Sequence, residues 1–258
     1  MDNLNSNNII CFAAQNAVVD IHYHMCFQLV ISMHSSFNCT IGETHHHNIK
    51  GFLVNQDIPH SCTADDTGVI VFFIDSESHL GFLLKKILNG NSFLDIEKIL
   101  TEEQLKCFTS QVTPMPPINE LRRISDELLQ LIFPAQKEQY KIPIDQRVTT
   151  AMEYIDLNMD SPIDLNYISK RIFLSPERTR HLFAQETGIP FSQYVLWKRI
   201  KAVMTQVIKK QTPLVNAAIQ CGFTDQAHFT RLFKRTFGIS AKHLLKNSRS
   251  VQFLTPWL

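Results

Sequence analysis

Two stretches of the 258-residue chain set out hydrogen-bonding and basic side chains in one pattern. Pro176-Glu177-Arg178-Thr179-Arg180-His181 leads into Leu182-Phe183, and fifty residues later Gln226-Ala227-His228-Phe229-Thr230-Arg231 leads into Leu232-Phe233. Gly188-Ile189 returns at the same offset as Gly238-Ile239. Arginine can bond guanine in a bidentate way and glutamine adenine, while alanine or threonine can touch a thymine methyl; lysines and further arginines hold phosphates. Two copies of such a unit imply two readers of one long polymer, with double-stranded DNA the candidate. The expected base readers are Glu177, Arg180, His181, Gln226, Ala227, Thr230 and Arg231. The expected phosphate contacts are Lys170, Arg171, Arg178, His228, Lys234, Arg235 and Lys242. Taken singly, each is an ordinary surface residue; their repeated placement on equivalent helices carries the reading.

A second constellation lies near the N-terminus. His22-x-His24 followed by Asp57-Ile58-Pro59-His60 has the spacing of a metal-binding cupin barrel, in which neutral imidazoles converge on one ion. His22 and His24, two apart on a strand, would share a barrel face. Gln28 stands where such barrels carry a carboxylate, and their usual glycines are missing. The expectation is therefore no metal and no cofactor, with His22, His24 and His60 lining a pocket for an unidentified small-molecule effector. His45-His46-His47, after Gly42, is expected at a solvated hairpin tip. Neither a Ser/His/Asp constellation nor a glycine-rich phosphate loop is present, so the chain is not expected to be an enzyme or NTP-driven.

The elements that must position these groups follow from periodicity. From Ile9 to about Ile74, short β-branched and aromatic runs separated by turn residues read as strands of a small barrel. After Ser76 the period turns helical, through Leu80, Leu83, Leu84, Ile87 and Leu88, and Thr101-Glu102-Glu103-Gln104 has the form of a capping box. Leu121, Ile124, Leu128 and Leu131, on a helix over 117–133, have the spacing of a two-helix seam. That seam fits packing on the chain's own barrel or a homodimer contact, and the homodimer is the expected partner. Residues 134–144 read as a linker. Everything after Asp145 reads as helix and turn. Leu165, Ile168 and Ser169 face inward on a short leading helix capped by Asp164, with Leu214, Ala217 and Ala218 as counterparts 49 residues on. The one-residue slip places an extra residue at Gly222-Phe223. Phe173, Leu182 and Phe183 in the first copy, and Phe229, Leu232 and Phe233 in the second, are expected to face the core. A helix over 190–210 joins the copies; at ~20 residues it spans about 30 Å, close to the ~34 Å of one DNA turn.

Charge is divided along the chain. Residues 1–144 hold 9 Lys/Arg against 16 Asp/Glu, a balance of −7, and residues 145–258 hold 16 against 8, a balance of +8. The basic part has the footprint of a phosphate binder. Six cysteines without a C-x-x-C pair read as reduced thiols. The polar start lacks a signal-peptide pattern and no apolar run reaches membrane-spanning length, so the expected location is the cytoplasm.

Residues 145–247 resemble the DNA-binding domain of AraC/XylS transcription regulators. The resemblance rests on Ser175, Leu182-Phe183, Gly188, Phe191-x-x-Tyr194 and Arg199. It continues through Cys221-Gly222-Phe223-x-Asp225-Gln226-x-His228-Phe229-x-Arg231-x-Phe233-Lys234-Arg235 and Phe237-Gly238. It implies two helix-turn-helix subdomains, promoter binding, activation through RNA polymerase, and an N-terminal cupin-like barrel with dimerising helices. His181 and Thr179 depart from the family pattern, which has Arg and an apolar residue there, and Ser240-Ala241-Lys242-His243-Leu244-Leu245 replaces the common ending. The expected architecture is a two-domain α+β chain: a cupin-like β-barrel with helices over 1–133, a linker over 134–144, and an all-α domain over 145–258. The helix-turn-helix units fall at about 164–186 and 213–236. The competing functions are a metal-dependent cupin enzyme fused to a DNA-binding domain, and a non-specific nucleoid-binding protein.

Overall fold

The computed structural model describes residues 9–113, 116–134, 144–247 and 251–254. The β-branched N-terminal runs form β1 (Ile9–His22), β2 (Phe27–Ser32), β3 (Phe37–Ile41), β4 (Thr44–Ile49), β5 (Gly51–Val54) and β6 (His60–Ile74). With β7 (Phe93–Asp95) and β8 (Val251–Leu254) they make one eight-stranded, nearly closed sheet in the order β4-β3-β6-β2-β5-β7, with β1 pairing both β6 and β8. β6 is the hub, antiparallel to β1, β2 and β3 along different parts of its length. At 14 and 15 residues, β1 and β6 are far longer than the short strands expected. Register shifts between Gln15 and Ala17 and between Val19 and His22 bend this long ribbon, as bulges do where a sheet closes on itself.

Phe27, Leu29 and Ile31 alternate along β2 into one apolar core with Ile70, Phe72 and Ile74 of β6. Helices α1 (His79–Leu88), α2 (Glu102–Ser110) and α3 (Ile118–Ile132) cover it. Thr101 caps α2 as its sequence predicts: its Oγ1 accepts from Gln104 N at 3.2 Å, and its N–H donates to Gln104 Oε1 at 2.9 Å. On α3, Leu121, Ile124 and Leu128 are fully buried in the barrel core and Leu131 packs against it. The expected dimer seam is therefore corrected: its leucines are spent on the chain's own barrel.

The rest of the chain is α4 (Gln146–Leu157), α5 (Leu165–Arg171), α6 (Pro176–Thr187), α7 (Phe191–Lys210), α8 (Leu214–Gln220), α9 (Gln226–Phe237) and α10 (Ala241–Asn247). Helix and turn hold to Asn247, but Val251–Leu254 is β8, in register with β1 from Ile9↔Leu254 to Phe12↔Val251. Val-Gln-Phe-Leu is too short to set a strand period, and it lies behind a long helical stretch. Most of the expected linker, 135–143, lies outside the described residues. The described chain forms two compact units, residues 144–232 and residues 9–134 together with 233–247 and 251–254, so the division falls inside α9. No described helix is long and apolar enough to cross a membrane.

Candidate nucleic-acid interface

In the first unit Asp164 caps α5 through Asn166 N at 2.8 Å, and Ile168 and Ser169 are buried. Leu174 N donates to Ser169 O at 2.9 Å, closing the turn into α6. Ser175 Oγ accepts from Arg178 N at 3.2 Å, and Pro176 occupies the first helical position, where its missing N–H costs nothing. Leu182 and Phe183 face the core as expected. Phe173 does not: it is 93% exposed at φ 57°. It holds the left-handed position of the turn, and its counterpart 49 residues on is Gly222 at φ 79°. Thr179 leaves no polar orphan in the core, because its buried hydroxyl donates to Ser175 O at 2.9 Å.

The second unit repeats this geometry. Ala217 and Ala218 are fully buried, and Phe223 N donates to Ala218 O at 3.0 Å, as Leu174 N does to Ser169 O. Asp225 Oδ1 accepts from His228 N at 2.6 Å and caps α9 as Ser175 caps α6. The offset is thus 49 up to Phe223 and 50 from Asp225. Thr224 is the inserted residue, which corrects its expected placement at Gly222-Phe223. Phe229 and Phe233 are buried, whereas Leu232 is only half-buried. Gly188 at φ 74° and Gly238 at φ 69° end the two helices, each donating its N–H to the carbonyl four residues back.

Glu177, Arg180, His181, Gln226, Ala227 and Arg231 are exposed on these helices. Thr230 is half-buried, and its hydroxyl donates to Gln226 O at 2.8 Å. Lys170, Arg171, Arg178, Arg235 and Lys242 are exposed cations. His228 is half-buried with its ring edge-on to Phe223, and Lys234 pairs with Asp20 at 3.4 Å in a largely exposed contact. Screening makes such a contact weak.

Helix α7 carries cations as well as core residues. Arg199 donates to Gly222 O and to Ser161 O, both at 3.1 Å, tying the second turn to the segment before the first unit. Burial lowers its pKa from the usual range. Lys198 pairs with Asp156 at 2.8 Å, nearly out of solvent, and Lys201 is buried. The legible signal was a run of cations, Lys198-Arg199-x-Lys201, on a helix otherwise dense in core residues. Phe183 stacks edge-on with Phe191 and Tyr194 where α6 meets α7.

The barrel brings the expected pocket residues together. His22, His24 and His60 are each no more than 4% exposed, and one ring nitrogen from each lies within 4.8 Å of the others. Strand alternation is not the cause, because β1 ends at His22 and His24 follows in the connection to β2. Burial pushes the His22 pKa down to about 4 and that of His24 to about 3, and holds His60 well below the usual range. His45, His46 and His47 lie on β4 rather than at the tip of the hairpin. His45 and His47 are exposed, and Thr40 Oγ1 lies 2.9 Å from His45 Nδ1.

Comparison with known proteins agrees with the helical geometry. A helix-turn-helix domain family model matches residues 168–247. The arabinose operon regulatory protein of Escherichia coli K12 is 32% identical over 116 residues, 45% of this chain and 40% of that protein. The multiple antibiotic resistance protein MarA of the same organism is 26% identical over 92 residues, 36% of this chain and 72% of that protein. This chain thus spans less than half the length of the arabinose regulator. Among solved structures, ToxT from Vibrio cholerae O395 superposes with a TM-score of 0.59 at 14% identity, covering 92% of this chain and 96% of ToxT. That likeness extends the shared fold to the N-terminal barrel.

Proposed function

We propose, from the premise that residues 168–247 are an AraC-type helix-turn-helix domain, that the protein is a sequence-specific DNA-binding transcription regulator and not an enzyme. The observation that carries this is the duplicated unit: α5–α6 and α8–α9 share the backbone bond that closes the turn, and their second helices share side-chain caps and glycine stops and expose polar and basic side chains. Helices of this kind enter the major groove by their first turns. A spacer of 20 residues, α7, is long enough for the two to occupy successive grooves of one promoter. Lys170, Arg171, Arg178 and Lys242 supply phosphate contacts, and the barrel acts as sensor. Family resemblance supports activation through RNA polymerase and a cytoplasmic location. Self-association, also part of the proposal, uses a surface other than the buried α3 leucines.

A gel-shift comparison of a selected site with random DNA tests the reading. Affinity for the site several orders of magnitude above that for random DNA is expected. Equal affinity for both supports a non-specific nucleoid protein instead.

A further inference from the structure

We propose that the barrel binds one divalent first-row transition ion, of the Zn²⁺ class, through the Nε2 atoms of His22, His24 and His60 and the Oε1 atom of Gln28. This deepens the sensor reading by naming a ligand for the barrel, and its test reads bound metal rather than bound DNA, so the two can fail separately.

The hydrogen bonds determine where the lone pairs lie. His22 Nδ1 donates to Asp20 O at 2.9 Å, His24 Nδ1 to Cys26 O at 2.9 Å, and His60 Nδ1 to Ile58 O at 2.7 Å. A neutral imidazole carries one proton, so all three Nε2 atoms are left as acceptors. The Cys26 thiol also lies 3.3 Å from His24 Nδ1. A protonated Nδ1 suits the nearer carbonyl, whereas a bare Nδ1 would face that carbonyl lone pair to lone pair. Tying one ring nitrogen to a backbone carbonyl is how metal-ligating histidines are oriented.

The Nε2 atoms of His24 and His60 then meet Gln28 Oε1, at 3.2 and 2.5 Å. That oxygen has no hydrogen to give, so three acceptors crowd one buried point. Turning the amide would supply two N–H donors, but His22 Nε2 would still have no partner among the described residues. A cation satisfies all four donor atoms at once. Four ligands at Zn–N and Zn–O distances of about 2.0–2.2 Å require separations of roughly 3.4 Å. One ring nitrogen from each histidine already lies within 4.8 Å of the others, so small side-chain rotations are enough to close the site. The adjoining cavity, lined in part by His22, Gln28 and His60, measures about 50 Å³. That is room for an ion and a few waters.

Tag-free full-length protein, stripped with chelator and titrated calorimetrically with Zn²⁺, decides the matter, with Co²⁺ absorption reporting the ligand geometry. One ion per chain is expected, with a tetrahedral Co²⁺ spectrum. His22→Gln and His60→Gln should each weaken binding by roughly a hundredfold. The surface variant His45→Asn/His46→Asn/His47→Asn should bind as the parent does. Gln28→Glu, which adds a charge to the ligand set, should tighten binding by roughly tenfold; it serves as the deciding variant if circular dichroism shows the histidine variants unfolded. Sub-stoichiometric uptake by the parent, loss of the ion with the surface triplet, or no tightening in Gln28→Glu overturns the proposal.

Discussion

At the scale of single residues, some side chains are placed to read and others to hold. Arg231 is exposed on the first two turns of α9 and can present its guanidinium fork to a base edge. Arg231→Ala should weaken a selected site by about 1–3 kcal/mol and hardly change affinity for random DNA, as measured by competition gel shift. Lys242→Ala should weaken both alike. Arg199 holds rather than reads: Arg199→Met removes two charge-assisted bonds to Gly222 O and Ser161 O. It should lower stability by about 2–3 kcal/mol in urea unfolding, with wild-type stability the contrary result. The barrel histidines give a pH dependence whose sign follows from burial. Their folded pKa values, about 4 for His22 and about 3 for His24, lie below the ordinary 6.5. As pH falls the unfolded chain therefore takes up protons first, and the stability present above pH 6.5 is lost toward pH 4. In metal-free protein the urea midpoint should drop between pH 7 and pH 5, and His22→Gln should flatten that drop; the same slope in both would contradict a neutral buried imidazole.

At the scale of elements, two left-handed glycines, Gly238 after α9 and Gly42 in the β3–β4 turn, show what a turn demands. Gly238 has φ 69°, and a β-carbon there would lie 2.4 Å from Asp20 O and 2.8 Å from His22 Nδ1. Gly42 has φ 60° but nothing within 4 Å. Gly42→Ala should cost about 1–2 kcal/mol of left-handed strain, and Gly238→Ala distinctly more; equal melting temperatures for the two variants would refute the close approach. Helices α6 and α9 were legible in the sequence because caps, apolar pairs and terminal glycines all agree within one turn or two, and α7 because its apolar residues keep a helical period over its length. Phe173 was misread because its type signals core while its backbone position, seen only beside Gly222, signals a turn. β8 was missed because four residues carry little periodicity. The α3 leucines were legible as a stripe, but a stripe does not say what covers it. The imidazole cluster was legible only as a spacing, since the orientation of each ring depends on carbonyls that no motif records.

At the scale of the whole molecule, a net charge of +1 conceals the balances of −7 and +8 on the two parts of the sequence. The basic part bears the duplicated reader and the acidic part the barrel, as expected if one binds a polyanion and the other does not. The compact units do not follow that charge boundary, because the chain from Phe233 onward folds with the barrel. The C-terminal end of α9 thus belongs to the same unit as the histidine pocket, and Phe237 and Ile239 line the cavity beside His22. The central claim is that one chain reads two successive grooves, and in vitro selection of bound DNA by the full-length protein tests it most directly. The expected product is a bipartite site whose halves are centred about 10–10.5 base pairs apart, with affinity lost when five base pairs are inserted between them. A single short half-site, or a selected pool with no shared sequence, would contradict it.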